Sequence, residues 1–255
     1  MTVLLIAAAL SAPVEFPMEI HGELGAYSFF ETDVEHFVYS KIAADVRVLR
    51  IGDFSWHLGL EVDTYMGKNW NSPEMAFNIY GGHWNITTQF DYMIDPVLLR
   101  LYTDHECFHN IDMEDSTSEY MNNIKLGAQY SAGPPESSDG FRWLPSAYPS
   151  GWISMGVYRP RNESFQKGHD FNWSIQGEGD MPFAAWKAWY SGARLHSDFY
   201  FHNDGGNSSR HWGELYLRYN APFGDFETHL THYFRDTQPF RDLDGETYWG
   251  IRFLW

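Results

Sequence analysis

The sequence predicts an all-β fold, a closed antiparallel transmembrane β-barrel of about twelve strands. Three observations predict it: apolar and polar residues alternate with a period of two, aromatic residues are abundant, and short turns alternate with longer polar loops. The alternation is clear in the last nine residues, where one face is formed by Thr247, Trp249, Ile251, Phe253 and Trp255. Successive side chains of a strand point to opposite faces, so this segment is a strand with one apolar face.

The composition agrees with a protein that crosses a bilayer with strands. Aromatic residues make up 18% of the 255 residues, and Tyr and Trp favour the boundary between hydrocarbon and water. The mean hydropathy is nevertheless −0.43, and no apolar run is long enough for a spanning helix. Each barrel strand places only alternate residues in lipid, which explains this combination. A soluble β-protein rich in aromatics remains the alternative.

The charge and the cysteine content limit the partners. A net charge of −17 argues against nucleic acid, which requires a basic surface. Carboxylates in the loops of a bacterial outer-membrane barrel can meet lipopolysaccharide through divalent cations. We therefore expect outer-membrane lipids, lipopolysaccharide and the outer-membrane assembly machinery as partners, and no cofactor. With Cys107 as the single cysteine, no internal disulfide forms.

The chain divides into an export signal and one domain. Residues 1–12 have an apolar core followed by small residues, a pattern typical of a signal peptide. This segment is too short to span a membrane as a helix. Residues 13–255 are predicted to form a single barrel domain located in the bacterial outer membrane.

Twelve strands are predicted, an even number as in single-chain bacterial barrels. They are residues 20–31, 37–51, 54–66, 77–91, 97–110, 120–131, 151–161, 171–180, 184–201, 211–221, 226–235 and 246–255. Short turns are expected at residues 52–53, 95–96, 181–182 and 222–224. Residues 132–150 are rich in Pro, Gly and Ser and interrupt this order, so we expect an inserted plug or a rim segment there. The aromatic final strand resembles the closing strand of bacterial outer-membrane β-barrels.

The predicted inward faces carry many charged and polar residues. These are Glu61, Asp63, Arg100, Lys125, Gln129, Glu178, Glu214, Arg218, Glu227 and Arg252. About twelve strands enclose a narrow lumen that paired charges can largely fill. The leading functional interpretation is therefore a non-enzymatic envelope barrel, either a scaffold or a narrow pore.

The segment from His105 to His109 matches the pattern His-Glu-x-x-His. On a helix this spacing binds zinc with two histidines and uses Glu106 as the general base of a metalloprotease. The flanking sequence is strand-like, however, and residues i and i+4 of a strand lie about 13 Å apart. Bonds near 2 Å cannot join both imidazoles to one zinc ion across that distance. A zinc metalloprotease is therefore only a third interpretation.

As a strand, residues 97–110 have a lipid-facing side that changes from apolar to polar. It begins with Val97, Leu99 and Leu101 and continues with Thr103, His105, Cys107 and His109. Asn122 faces outward on the next strand and comes close to His105 in some registers. These residues form either a polar rim at the lipid headgroups or a site that acts on lipid.

Two resemblances support the strand interpretation. Residues 98–112 resemble a strand of an uncharacterised family of bacterial outer-membrane proteins with the motif His-x-Ser-Ser-His-Leu-Gly-Asp-Glu. His105, His109 and Asp112 match this motif, while Cys107 and Phe108 replace the two serines. The function of that family is unknown, so this resemblance implies only a fold and a location.

The second resemblance is to outer-membrane phospholipase A. The His-x-Ser of that family is similar to His105-x-Cys107, and Asn122 follows on the next strand. The resemblance implies a twelve-stranded barrel with an outward catalytic site formed by His105, Cys107 and Asn122. A thiol serves as a nucleophile beside an imidazole, which an asparagine can orient. Here a cysteine replaces the serine, and the Asn-Gly-Arg run that follows it in that family is missing. The alternative function is therefore a lipid hydrolase that cleaves acyl esters.

Overall fold

The computed structural model describes residues 13–31, 37–68, 77–110, 118–131, 138–144, 149–159, 171–238 and 243–255. The predicted signal peptide, residues 1–12, lies outside these ranges and stays a prediction. Among the described residues, no helix is long and apolar enough to cross a membrane.

The described part of the chain contains fourteen strands. Twelve of them form the barrel wall: β2 Glu19–Phe29, β3 Val38–Ile51, β4 Phe54–Lys68, β5 Phe77–Ile94, β6 Val97–Asn110, β7 Ser118–Ser131, β9 Ser150–Tyr158, β10 Phe171–Lys187, β11 Trp189–His202, β12 Asn207–Ala221, β13 Gly224–Asp236 and β14 Thr247–Leu254. Two shorter strands, β1 Val14–Glu15 and β8 Ser138–Trp143, pair with the wall at β3 and β10.

The wall closes through its first and last strands. Each wall strand pairs antiparallel with two neighbours, and β14 pairs with β2. The last residue continues this ladder, because the N–H of Trp255 donates to the carbonyl of Gly22 at 3.1 Å and the N–H of Gly22 donates to the carbonyl of Trp255 at 2.9 Å. Closure leaves no wall strand with a free edge in hydrocarbon, where an unpaired backbone group is costly. The predicted twelve-stranded antiparallel barrel is confirmed.

The predicted turn at Met181 and Pro182 is wrong. Strand β10 continues through both residues and turns at Ala188 instead. The last pair between β9 and β10 joins Ser150 to Asp180, and a register shift follows Pro182 on the β11 side. Proline lacks an N–H, and strands tolerate it at bulges and where a neighbour has ended.

Part of the irregular segment 132–150 forms a rim element. Strand β8 pairs with the end of β10, beyond the point where β9 begins, with Phe141 opposite Trp186. Residues 138–143 therefore extend the sheet at one rim of the barrel. Of the two expected arrangements, a plug or a rim segment, this is the rim segment. Residues 132–137 and 145–148 of this segment lie outside the described residues.

The two faces of the wall have opposite chemistry. Large apolar side chains point outward and are 43–63% exposed, among them Leu58, Leu60, Leu101, Leu126, Leu215 and Ile251. Polar side chains point inward and are at most 4% exposed, among them Lys125, Ser174, Glu214, Glu227 and Thr231. A soluble protein has the reverse arrangement, whereas a membrane barrel needs an apolar exterior and a polar interior.

The barrel has two distinct rims. At one rim, here called the turn rim, short connections at residues 52–53, 95–96, 188 and 222–223 join successive strands. The other rim, here called the loop rim, is where β6 ends at Asn110 and β7 begins at Ser118. Short turns face the periplasm in bacterial barrels, so the loop rim faces outward from the cell.

Candidate functional site

The lumen contains a dense network of paired charges. Glu227 accepts hydrogen bonds from Arg194 at 3.0 Å, from Arg218 at 2.6 Å and from Arg252 at 2.6 Å. Glu214 pairs with Arg194 as well and accepts from Arg252 at 2.6 Å. We call these five residues the Glu227 network. Each carboxylate has several cationic partners, so the predicted pairing of inward charges is confirmed.

The His-Glu-x-x-His segment does not form a zinc protease site. It lies on strand β6, so His105 and His109 face outward while Glu106 faces the lumen. Glu106 lies 3.6 Å from the Nζ atom of Lys125, which also contacts Asp104 at 2.5 Å. The general base that a zinc protease requires is thus on the opposite face of the sheet from both histidines, and the zinc metalloprotease interpretation is wrong.

The three predicted catalytic residues share the outer face of two adjacent strands. His105 on β6 lies directly opposite Asn122 on β7. Cys107 is two residues further along β6 on the same face, about 6.7 Å away at the backbone. The antiparallel register therefore brings His105 and Asn122 together and places Cys107 two positions along the same face.

A hydrogen bond joins the imidazole to the amide. The Nδ1 atom of His105 lies 2.8 Å from the Oδ1 atom of Asn122. An amide oxygen only accepts, so Nδ1 donates in this hydrogen bond, and in the neutral imidazole the lone pair is then on Nε2. Asn122 thereby selects the tautomer in which Nε2 can act as a base.

The thiol of Cys107 is covered by aromatic side chains. Cys107 is only 5% exposed, and its two cross-strand neighbours are Trp84 and Tyr120. The ring of His109 lies 5.0 Å from Trp84 and 6.1 Å from Tyr120, which places a third ring over the same region. At this exposure, a lipid ester has little access to the sulfur unless a neighbouring side chain moves.

On the outer face, aromatic side chains lie on one side of the site and aliphatic side chains lie on the other. On the loop-rim side, Trp84 and Tyr120 flank Cys107. On the opposite side, the outer face continues with Ile124 and Leu126, which are 60% and 63% exposed. Aromatic rings with a polar edge favour the headgroup level of a bilayer. His105 and Asn122 therefore lie between aromatic residues on the loop-rim side and exposed aliphatic residues toward the middle of the wall.

The sequence predicted which residues share this face but missed what surrounds them. Tyr120 and Trp84 were not predicted as part of the site, although alternation places both on outer faces. Their position beside Cys107 depends on the registers of β5 with β6 and of β6 with β7, which residue patterns do not fix.

Three solved structures are similar to this chain along almost their whole length. They are outer-membrane phospholipase A from Escherichia coli (TM-score 0.51), a Salmonella typhi outer-membrane phospholipase dimer with bound calcium (0.52), and an active-site mutant of the E. coli protein with asparagine replaced by alanine (0.52). Each is 10% identical in sequence, and each alignment covers 98% of this chain and 96% of the other. The chain matches no protein-family model and no curated protein.

These similarities show the fold. The chain has the fold of outer-membrane β-barrel proteins, in agreement with the predicted outer-membrane location and with the apolar belt around the wall. At 10% identity they do not assign an activity. The resemblance to the uncharacterised His-x-Ser-Ser-His family stays a prediction.

Proposed function

We propose that this protein is an outer-membrane lipid hydrolase that cleaves acyl esters. Cys107 is the nucleophile, His105 is the general base, and Asn122 orients His105. The observation that carries the proposal is the hydrogen bond of 2.8 Å between His105 and Asn122 on the lipid-facing surface, beside the single thiol of the chain.

The reaction follows from the tautomer of His105. The Nε2 atom takes the thiol proton while the sulfur attacks the ester carbonyl carbon and forms a tetrahedral intermediate. The carbon–oxygen ester bond then breaks, and the imidazolium gives its proton to the departing alcohol. Water, activated by the same Nε2 atom, hydrolyses the thioester, which releases the fatty acid and restores the thiol.

The depth of the site supports a glycerophospholipid substrate. The ester bonds of such lipids lie between headgroup and acyl chain, where the outer faces of β6 and β7 present His105 and Asn122. The similar E. coli protein is a phospholipase, and an asparagine belongs to its active site. The same roles for lipid and asparagine are part of our proposal for this chain.

Lipid turnover by the refolded barrel tests the proposal. The protein is folded in detergent, checked by heat-modifiable gel mobility, and mixed with phosphatidylethanolamine and phosphatidylglycerol. We expect fatty-acid release from the native chain, none from Cys107→Ala, and a strong reduction in His105→Ala. His211→Ala is the matched control, since His211 lies on β12, five strands around the wall from β6, and its activity should equal that of the native chain.

Two results would contradict the proposal. One is a folded native barrel that releases no fatty acid from either lipid. The other is a Cys107→Ala variant that is as active as the native chain. Cys107→Ser tests the nucleophile further, because a hydroxyl at that position should keep part of the activity.

A narrow passage through the lumen is the second candidate function. Two cavities of about 470 and 590 Å³ lie inside the barrel, and Gln89 lines both of them. This shared residue supports a path between the cavities. Step-like conductance in planar bilayers would select a pore. Its absence, together with an absence of lipid turnover, would leave an envelope scaffold.

The exterior of the wall indicates which molecules contact the barrel. We infer that outer-membrane lipids and lipopolysaccharide contact the apolar belt and the loop rim. The terminal strand ends in an aromatic residue, Trp255, with Trp249 and Ile251 also outward. We infer that the outer-membrane assembly machinery inserts the barrel.

A further inference from the structure

A group of metal-ligating side chains lies on the lumen wall away from the outer site. Glu61 and Asp63 on β4 and His83 on β5 each offer one ligand atom, and these atoms lie within 4.8 Å of one another. The register explains the group, since Asp63 lies directly opposite His83 and Glu61 is two residues along on the same face. All three line the cavity of about 470 Å³.

Several polar atoms in this group are buried without a hydrogen-bond partner. They include Oδ1 of Asp63, Nε2 of His83 and Oδ1 of Asn85. Asp63 is only 7% exposed, and Asn85 lies directly opposite Glu61. A buried polar atom without a partner is costly, because it loses its hydrogen bonds to water. Here the unpaired atoms belong to side chains that line one cavity.

Another histidine in the same lumen shows that such atoms can be paired. The ring of His196 lies between two carboxylates, with Nδ1 at 3.3 Å from Glu178 and Nε2 at 2.8 Å from Asp198. His83 also lies between two carboxylates, but its Nε2 atom remains 3.7 Å from Glu106. A histidine between acids in this barrel can therefore use both nitrogens, and His83 does not.

The local charge favours a divalent cation. The connected group contains four carboxylates, on Glu61, Asp63, Asp104 and Glu106. Lys41 pairs with Glu61 at 2.9 Å, and Lys125 contacts Asp104 and Glu106. Two lysines balance two of the four negative charges. Once a bound metal has displaced the proton of His83, a charge of −2 remains among these groups, which a divalent ion would neutralise.

We propose that Glu61, Asp63 and His83 bind Zn²⁺ in the lumen. One imidazole and two carboxylates form a donor set that zinc accepts. The Nδ1 atom of His83 lies 3.2 Å from Oδ2 of Asp63, close to the edge of a zinc tetrahedron, roughly 3.4 Å for bonds of about 2.1 Å. The metal replaces the proton between these two atoms, and the unpaired Oδ1 atom of Asn85, opposite Glu61, is a candidate for a fourth ligand.

Zinc titration of the folded, tag-free barrel tests this site. The Cys107→Ala background removes the single thiol, because thiolates are zinc ligands in general. We expect one Zn²⁺ per chain by calorimetry, with binding weakened at least about tenfold in Asp63→Asn and in His83→Gln. The matched controls His196→Gln in the lumen and His105→Ala on the exterior should keep the affinity of the background protein. Co²⁺ should give a d–d absorption spectrum that His83→Gln abolishes.

Three outcomes would overturn the proposal. The first is a folded background protein that binds no zinc. The second is a His83→Gln variant with unchanged affinity, because the imidazole would then not be a ligand. The third is equal affinity for Ca²⁺, which would indicate an acidic patch without a specific role for nitrogen. Heat-modifiable mobility of each variant verifies that lost binding is not lost folding.

Discussion

Two regions of the barrel place polar groups in opposite surroundings. In the Glu227 network, every carboxylate and guanidinium has several charged partners inside the lumen. On the outer face of β6 and β7, His105 has one polar partner, Asn122, and lies next to a belt of lipid-facing apolar residues. The first region is organised to satisfy its own charges, whereas the second leaves the Nε2 atom of His105 for another reactant.

The difference separates a structural use of polarity from a chemical one. Removing one partner from a buried charge network leaves the remaining charges unpaired, which destabilises the fold. Removing a neutral hydrogen bond near the headgroups costs little, since polar groups are tolerated at that depth. Stability measurements and activity measurements should therefore respond to different residues.

The largest effect on stability is expected from Glu227→Ala. The Glu227 side chain is fully buried, and this change removes its carboxylate from Arg194, Arg218 and Arg252. We expect the free energy of unfolding to fall by about 3–5 kcal/mol, measured by urea titration in lipid vesicles. Glu178→Ala is the control, because that side chain is 25% exposed and contacts His196. Equal losses in both variants would show that the network is not what stabilises the lumen.

A charge in the apolar belt should have the next largest effect. Leu215 is 58% exposed on the outer face in the middle of β12. We expect Leu215→Lys to lower the free energy of unfolding by about 2–4 kcal/mol, the cost of a lysine at the bilayer midplane. Phe223→Lys at the turn rim should cost at most about 1 kcal/mol. A larger loss for Phe223→Lys than for Leu215→Lys would mean that Leu215 does not lie near the middle of the bilayer.

Asn122→Ala should separate stability from activity. The free energy of unfolding should change by less than about 1 kcal/mol, because one neutral hydrogen bond is lost. Lipid hydrolysis should fall on the order of 10- to 1,000-fold, since His105 is no longer held in the tautomer that accepts the thiol proton.

A similar pair on strands β13 and β14 provides the control. The Nδ1 atom of His232 lies 2.8 Å from Oγ1 of Thr247 on the outer face, without a cysteine nearby. Thr247→Ala should match Asn122→Ala in stability and leave hydrolysis unchanged. If both variants lose activity equally, the effect of Asn122 is not specific to the proposed site.

The sequence predicted the faces of the strands better than their partners. Alternation assigned Asp63, Lys125, Glu214 and Glu227 to the lumen, and the structure confirms all four as buried inside the barrel. The alternation of side chains between two faces is a property of a single strand, so the sequence of that strand is sufficient to predict it.

Contacts between strands could not be predicted in this way. The pairs His105–Asn122 and Asp63–His83 each depend on a register, and a shift of one residue would separate them. The missed continuation of β10 through Pro182 has a related cause. A proline cannot donate a backbone hydrogen bond, so a strand continues through it only where no neighbouring strand requires that donor. At Pro182 the pairing of β10 with β9 has already stopped.

The smallest effect concerns access to Cys107. If Tyr120 helps to cover the thiol, Tyr120→Ala should raise the rate of maleimide labelling several-fold in the folded barrel, because a side chain that shields the sulfur is lost. As the chain has one cysteine, the label reports this site alone.

Tyr92→Ala is the matched control for the labelling experiment. Tyr92 is an outward tyrosine on β5 near the turn rim, opposite Leu99 and far along the strand from Trp84. Its removal should leave the labelling rate of Cys107 unchanged. A native chain that labels as fast as the unfolded protein would mean that the aromatic cover does not restrict the thiol. The outer site would then differ from the lumen by being permanently open, and no ring movement would precede lipid binding.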